Sequence, residues 1–140
     1  MILQIVAYGT TVLKQRAVPI SKDYNNINTL IANMWDTMYA ASGVGLAVPQ
    51  IGISIRLFIV DTAPFANSED LSDTEIIFLE NFKRVFINPI ITKETGMNTD
   101  FNEGCLSIPD IREDISRKPK IEIEFLDEHF EKQKLYLDGL

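Results

Sequence analysis

The chain has 140 residues, 46% hydrophobic and 24% charged, the composition of one globular domain with a single core. Thirteen basic against 20 acidic residues give a net charge of −7 with no basic cluster, which argues against nucleic acid or an anionic membrane surface as partner. The one cysteine cannot form an internal disulfide, and no apolar run approaches the roughly eighteen residues of a membrane span, so a single cytoplasmic domain over residues 1–140 is expected. The apolar start, Met1-Ile2-Leu3-Gln4-Ile5-Val6, is short and lacks the basic leader of a signal peptide.

The first predicted element is an amphipathic helix over 26–42. Ile27, Leu30, Ile31, Met34, Met38 and Ala41 fall on one stripe. Asn25 or Asn26 is placed to cap its start, and Gly43 to close its end in the left-handed conformation. The methionines and Trp35 are read as core packing. Next comes Gly43-Val44-Gly45-Leu46-Ala47-Val48-Pro49-Gln50, whose glycines and proline exclude a helix. Its backbone groups need partners elsewhere, and an extended ligand could supply them. The segment lacks the lysine and the glycine spacing of a phosphate loop.

Residues 55–60 predict a buried strand ending at Asp61. Residues 62–74, polar, acidic and proline-interrupted, predict a surface loop. Residues 75–82 fit either a short helix or the start of a strand. Strand character returns over 85–94, where Pro89 indicates an edge or a bulge, and Thr95-Gly96-Met97-Asn98 reads as a turn. Residues 120–126 alternate, with Ile121, Ile123 and Phe125 on one face and Glu122 and Glu124 on the other. A turn at 127–130 and a return strand over 131–137, with Leu135 and Leu137 inward, complete a hairpin on a half-buried antiparallel sheet. The one histidine, His129, sits at the hairpin tip, where exposure without a role is expected.

Between these strands lies Phe101-Asn102-Glu103-Gly104-Cys105-Leu106-Ser107-Ile108-Pro109. A lone cysteine is ordinarily a small buried hydrophobe. Here the adjacent glycine lets the backbone come close to another group, and the Glu and Ser flanks point to a thiolate held for chemistry.

GVGLAVPQ at 43–50 and EGCLS at 103–107 resemble the first and second signature motifs of the peptide deformylases, in that family's order and with a long helix just before the first. The resemblance runs over essentially the whole chain, and Val48 stands where the family usually has alanine. It implies an α+β fold of antiparallel sheets packed around helices. The activity it implies is removal of the formyl group from N-formylmethionyl nascent peptides, close to the ribosome. Cys105 is thereby a metal ligand, for Fe2+ or for Zn2+ or Ni2+, and the metal's water is the nucleophile. The side-chain amide of Gln50 and the N–H of Leu106 are donors to the developing oxyanion, worth roughly 3 to 4 kcal/mol each. The peptide lies extended along Val44, Gly45 and Leu46. Val44 and Phe101 belong to the methionine pocket, with Glu103 and Arg112 at its rim.

The family's third motif, His-Glu-x-x-His on a helix, supplies two further ligands and the acid–base glutamate. It does not occur in these 140 residues. Asp138 reads as the N-cap of the helix that would carry it. The expectation is therefore a domain lacking its C-terminal metal-binding helix, holding no stoichiometric metal, inactive or nearly so, and prone to self-association through the uncovered face. Two other readings stand beside it: a non-catalytic peptide-binding module, and a Cys-His hydrolase using Cys105 and His129.

Overall fold

A computed structural model of the chain describes residues 1–6, 13, 16–67, 72–95, 99–105, 108–117 and 120–138. Helix α1, Ile27–Ala40, buries Ile27, Ile31, Met34 and Met38 as its stripe predicts, each such burial worth about 1.5–3 kcal/mol. Thr37 is buried on the same face without leaving an orphaned polar group. Its hydroxyl donates to the Asn33 carbonyl and accepts from the Leu3 N–H, both at 2.7 Å.

Both helix ends depart from expectation. Asn26 holds the N-cap position with φ 59° and makes no side-chain capping bond. At the other end Ser42, not Gly43, is left-handed, with φ 55°. The Gly43 N–H reaches the Met38 carbonyl at 2.9 Å and the Ser42 N–H reaches the Tyr39 carbonyl at 3.1 Å. This is a Schellman closure, in which the residue after the cap turns left-handed and the following one donates back into the helix. Gly43 is that following residue. Because the helix stops at Ala40, Ala41 leaves the stripe and is exposed.

Seven described strands follow: β1 Gly45–Ala47, β2 Leu57–Asp61, β3 Lys83–Thr95, β4 Thr99–Cys105, β5 Ile108–Arg117, β6 Lys120–Leu126 and β7 Lys132–Asp138. Five form one antiparallel sheet in the order β1-β2-β3-β6-β7, and β4 pairs with β5 as a separate hairpin. The fold is α+β, as expected. Alternation along β2 sends Leu57 and Ile59 into an aliphatic cluster with Leu46, Val85, Ile87 and the buried stripe of α1. Phe58 and Val60 pack instead against Phe82, Phe86, Ile123 and Phe125. The Phe86 ring lies 4.6 Å from that of Phe58 and 4.3 Å from that of Phe125, centroid to centroid. Apolar cover on both faces explains why β2 reads as a continuous hydrophobic run. Leu135 and Leu137 of β7 pack on the aromatic side, so the predicted β6–β7 hairpin and its inward face hold.

Pro89 lies in the central strand, not at an edge, and marks the bulge. Pairing of β3 with β6 slips between Ile87 and Ile90, where proline has no N–H to donate. Asn88 before it is left-handed at φ 51° and its N–H bonds the Arg56 carbonyl at 2.8 Å. Its side-chain amide clasps Ile20, accepting from that N–H at 2.8 Å and donating to that carbonyl at 2.7 Å.

The surface loop expected over 62–74 contains a 3-10 turn, Ala63–Asn67, and the start of helix α2, Asp73–Asn81. The ambiguous stretch is thus helical. Ser72 caps it, its hydroxyl accepting from the Glu75 N–H at 3.2 Å while the Glu75 side chain reaches back. Strand β5 was not anticipated, because Ile108, Ile111 and Ile115 fall at helical rather than alternating spacing. The turn expected at 95–98 lies mostly outside the described residues, which resume at 99.

Candidate active site

Strand β1 is one of the two outer strands of the five-stranded sheet and pairs Gly45 with Val60, Leu46 with Ile59 and Ala47 with Phe58. It passes directly into a single 3-10 turn, Val48–Ile51, so the exclusion of helix from this segment holds for the α form only. Pro49 is tolerated because a first-turn N–H has no partner inside a helix in any case. Leu46 and Val48 are fully buried and anchor the segment to the aliphatic core.

The Gln50 side chain folds back on the strand. The Ala47 N–H donates to its Oε1 at 2.8 Å, and the Val6 N–H donates to its main-chain carbonyl at 2.7 Å. A backbone N–H can bond only the oxygen of a carboxamide, so this contact fixes which end of the Gln50 amide faces β1. Nε2 is the donor end of that amide.

On the sheet side, the Val44 carbonyl accepts from the Asp61 N–H at 2.8 Å. The peptide unit is planar and trans, so a Val44 carbonyl turned toward β2 aims the Gly45 N–H away from it. The Ala47 N–H, two residues on and on the same outward side, is the one that Gln50 takes. Gly45 is therefore the residue whose main chain faces outward at this edge, whereas Val44 and Leu46 direct their carbonyls into the sheet. Of the backbone surface expected along Val44, Gly45 and Leu46, the outward part centres on Gly45.

Cys105 ends β4, and its register partner Ile108 comes directly after the undescribed pair 106–107. The ladder shifts register between Gly104 and Cys105 and pairs Phe101 with Ile115, Glu103 with Glu113 and Gly104 with Arg112. Leu106 lies outside the described residues. The structure thus gathers Val44, Gly45, Leu46 and Gln50 at one sheet edge and Phe101, Glu103, Cys105 and Arg112 on one hairpin. Among the described residues no strand pairing joins the two groups.

His129 is exposed at the β6–β7 turn, 3.9 Å from the Glu128 carboxylate, with its main-chain N–H on Asp127. Burial opposes ionisation of Asp127, but the N–H groups of Glu131 and His129 and the Gln133 amide outweigh it and hold the carboxyl below its usual range. These contacts organise a turn. They give no support to a Cys105–His129 pair. A catalytic metal takes about three protein ligands, and among the described residues no three His, Cys, Asp or Glu side chains come together. The 140 residues hold one cysteine and one histidine as thiolate and imidazole donors.

Three contacts at this edge had no counterpart in the sequence reading: Ala47 to Gln50, Val6 to Gln50, and Tyr39 to Asp61. The first had a legible signal, a glutamine three residues after an extended residue, which is half of a capping box. The others join residues far apart in the chain.

The chain matches the family model described as polypeptide deformylase over residues 2–140. It is 54% identical to the peptide deformylase of Christiangramia forsetii over 140 residues, which is 100% of this chain and 71% of that protein. Its structure is similar to the crystal structure of peptide deformylase from Thermotoga maritima, with a TM-score of 0.83 and 32% identity over 99% of this chain and 83% of that one. It is likewise similar to a class I type b peptide deformylase from Acinetobacter baumannii crystallised with Met-Ala-Ser bound, with a TM-score of 0.84 and 28% identity over 100% and 86% of the two chains. The motif pair, the edge strand built from the first motif and these matches agree: the chain belongs to the polypeptide deformylase family.

Proposed function

We propose that residues 1–140 form the peptide-holding part of a metal-dependent peptide deformylase, which hydrolyses the formamide at the N-terminal methionine of newly made polypeptides. The observation that carries this reading is the outer edge of β1, where the Gly45 main chain faces outward beside a Gln50 carboxamide oriented by the Ala47 N–H. An extended peptide adding to that edge pairs with Gly45 and is flanked by Val44 and Leu46. Its formyl oxygen lies within the province of Gln50, whose Nε2 donates as the carbonyl gains negative charge, with the Leu106 N–H as second donor. Phe101 and Val44 contribute to the methionine pocket, with Glu103 and Arg112 at its rim.

Cys105 would supply one thiolate ligand for iron, zinc or nickel, and such an ion would supply a nucleophilic water. The polypeptide of residues 1–140 offers no second and third ligand of the required kind, so by itself it holds no stoichiometric metal and does not turn over. Peptide binding without catalysis is the second reading, favoured by the intact edge in a chain with one cysteine and one histidine. Among the described residues no helix is long and apolar enough to cross a membrane. The substrate places the activity in the cytoplasm, near the ribosome. Ile77, Phe78, Ile90 and Ile91 stand exposed and support self-association of this polypeptide.

Titration of purified residues 1–140 with formyl-Met-Ala-Ser and Met-Ala-Ser, with metal content measured on the same sample, tests the proposal. Saturable binding, no formate release and metal well below one ion per chain are expected. Absence of binding overturns the peptide edge. One ion per chain that disappears in Cys105→Ser, with formate released, overturns the inactivity. The fifty or so codons following that for Leu140 separate the two readings: His-Glu-x-x-His encoded there supports the enzyme, and a stop codon supports the binding module.

A further inference from the structure

Tyr39, in the last turn of α1, donates its hydroxyl hydrogen to the Asp61 carboxylate, with Oη 2.7 Å from Oδ2. The other carboxylate oxygen of Asp61 accepts from the Ala63 N–H at 3.1 Å. The main-chain N–H of the same residue holds the Val44 carbonyl at 2.8 Å. The phenol ring stacks on Trp35 with centroids 5.9 Å apart, and the Lys83 ammonium lies 4.6 Å from the Trp35 ring centre and 5.6 Å from that of Tyr39. Lys83 is the cross-strand partner of Asp61. One aspartate therefore joins the end of α1, the start of β3 and the residue just before the outward-facing glycine.

Apolar burial does not account for the tyrosine. Tyr39 is 46% exposed, and phenylalanine would make the same ring stack. What the hydroxyl adds is its bond to Asp61. Burial, that hydrogen bond and the Asp61 charge push the Tyr39 phenol up to about 12, so it remains a donor throughout the neutral range.

We propose that Tyr39 and Asp61 are positioning residues for the peptide, a brace that fixes the Val44–Gly45 peptide plane and so aims the Gly45 N–H at the incoming strand. This rests on the peptide-edge reading above. The planarity of the peptide unit carries the coupling: the Val44 carbonyl and the Gly45 N–H belong to one rigid group, so holding the first toward β2 sets the direction of the second. With the carboxylate held on one side by Tyr39 and on the other by the Ala63 N–H, Asp61 keeps its own N–H on Val44.

The test is titration of residues 1–140 with Met-Ala-Ser in the wild type, Tyr39→Phe, Asp61→Ala, Asp61→Asn and Trp35→Leu, with the melting temperature recorded for each. Tyr39→Phe is expected to weaken binding about tenfold, the loss of one charge-assisted hydrogen bond's influence, while melting close to wild type because the ring stack remains. Asp61→Ala weakens it at least as much, and Asp61→Asn, whose single acceptor oxygen can serve only one of the two donors, recovers part of the affinity. Equal affinity of Tyr39→Phe and a binding-competent wild type overturns the brace alone. A wild type that does not bind overturns the brace together with the peptide edge. A loss in Trp35→Leu as large as that in Tyr39→Phe also overturns it, since that change removes the stack and leaves the hydroxyl bond.

Discussion

The 43–50 segment and the hairpin ending in Cys105 each carry one motif, and they are anchored by different means. Segment 43–50 is tied locally, Gly43 to Met38 and Ala47 to Gln50, and also to elements far away in sequence, Val44 to Asp61 and Gln50 to Val6. Beneath it Leu46 and Val48 are buried in the aliphatic cluster. The Cys105 hairpin draws its strand pairing, among the described residues, from its own two strands, β4 and β5. A two-stranded ribbon is marginal alone in water, whereas a five-stranded sheet with covered faces is not. The β1 edge is thus a property of the main core, whereas the β4–β5 hairpin, among the described residues, pairs only within itself.

The largest expected contrast is in amide hydrogen exchange. Amides of Leu57–Asp61 should exchange slower than those of Thr99–Cys105 by on the order of a thousandfold, because the first opens with the whole domain and the second by local unfolding. Equal protection would break the comparison. Leu46→Ala should cost about 2–5 kcal/mol in urea unfolding, since the side chain is 2% exposed and its removal leaves a cavity under β1. A loss below about 1 kcal/mol would show that the edge does not depend on that core.

Gln50→Ala sharpens the same point at smaller scale. Losing the Oε1 acceptor for the Ala47 N–H should cost about 1 kcal/mol, yet the binding of formyl-Met-Ala-Ser should be weakened more than stability is. The smallest effect is expected in alkali. The folded Tyr39 phenol is raised from 10.0 to about 12, so its contribution is fully present below pH 10 and fades as pH rises from 10 toward 12. Tyr39→Phe should flatten that part of the stability curve. An unchanged curve in the variant would locate the alkaline loss elsewhere.

Legibility in the sequence followed the range of the interaction. Hydrophobic period alone specifies the α1 stripe and the β6–β7 hairpin, and β-branched and aromatic content specifies β2. The end of α1 was misplaced onto Gly43, because glycine is the usual left-handed residue and nothing local shows that Ser42 takes the turn. Only the start of helix α2 falls in the stretch that reads as loop, and the rest fits helix or strand equally, although Ser72 and Glu75 form a capping box that sequence displays. In β5, isoleucines three and four residues apart concealed a strand that pairing with β4 imposes.

For the candidate site, sequence by itself determined the residue inventory and the family: the two motifs, the single thiol, the single imidazole and the amide at Gln50. Those are chemical identities, and chemistry is written in residue type and spacing. Tertiary structure alone decided which way Gly45 and the Gln50 amide face. That Gly45 is the outward residue follows from an Asp61 N–H on the Val44 carbonyl, and that the Gln50 amide has one defined orientation follows from the Ala47 N–H. Each depends on a hydrogen bond whose direction is set by the pleat of β1 against β2, and a pleat exists only once the two strands have paired.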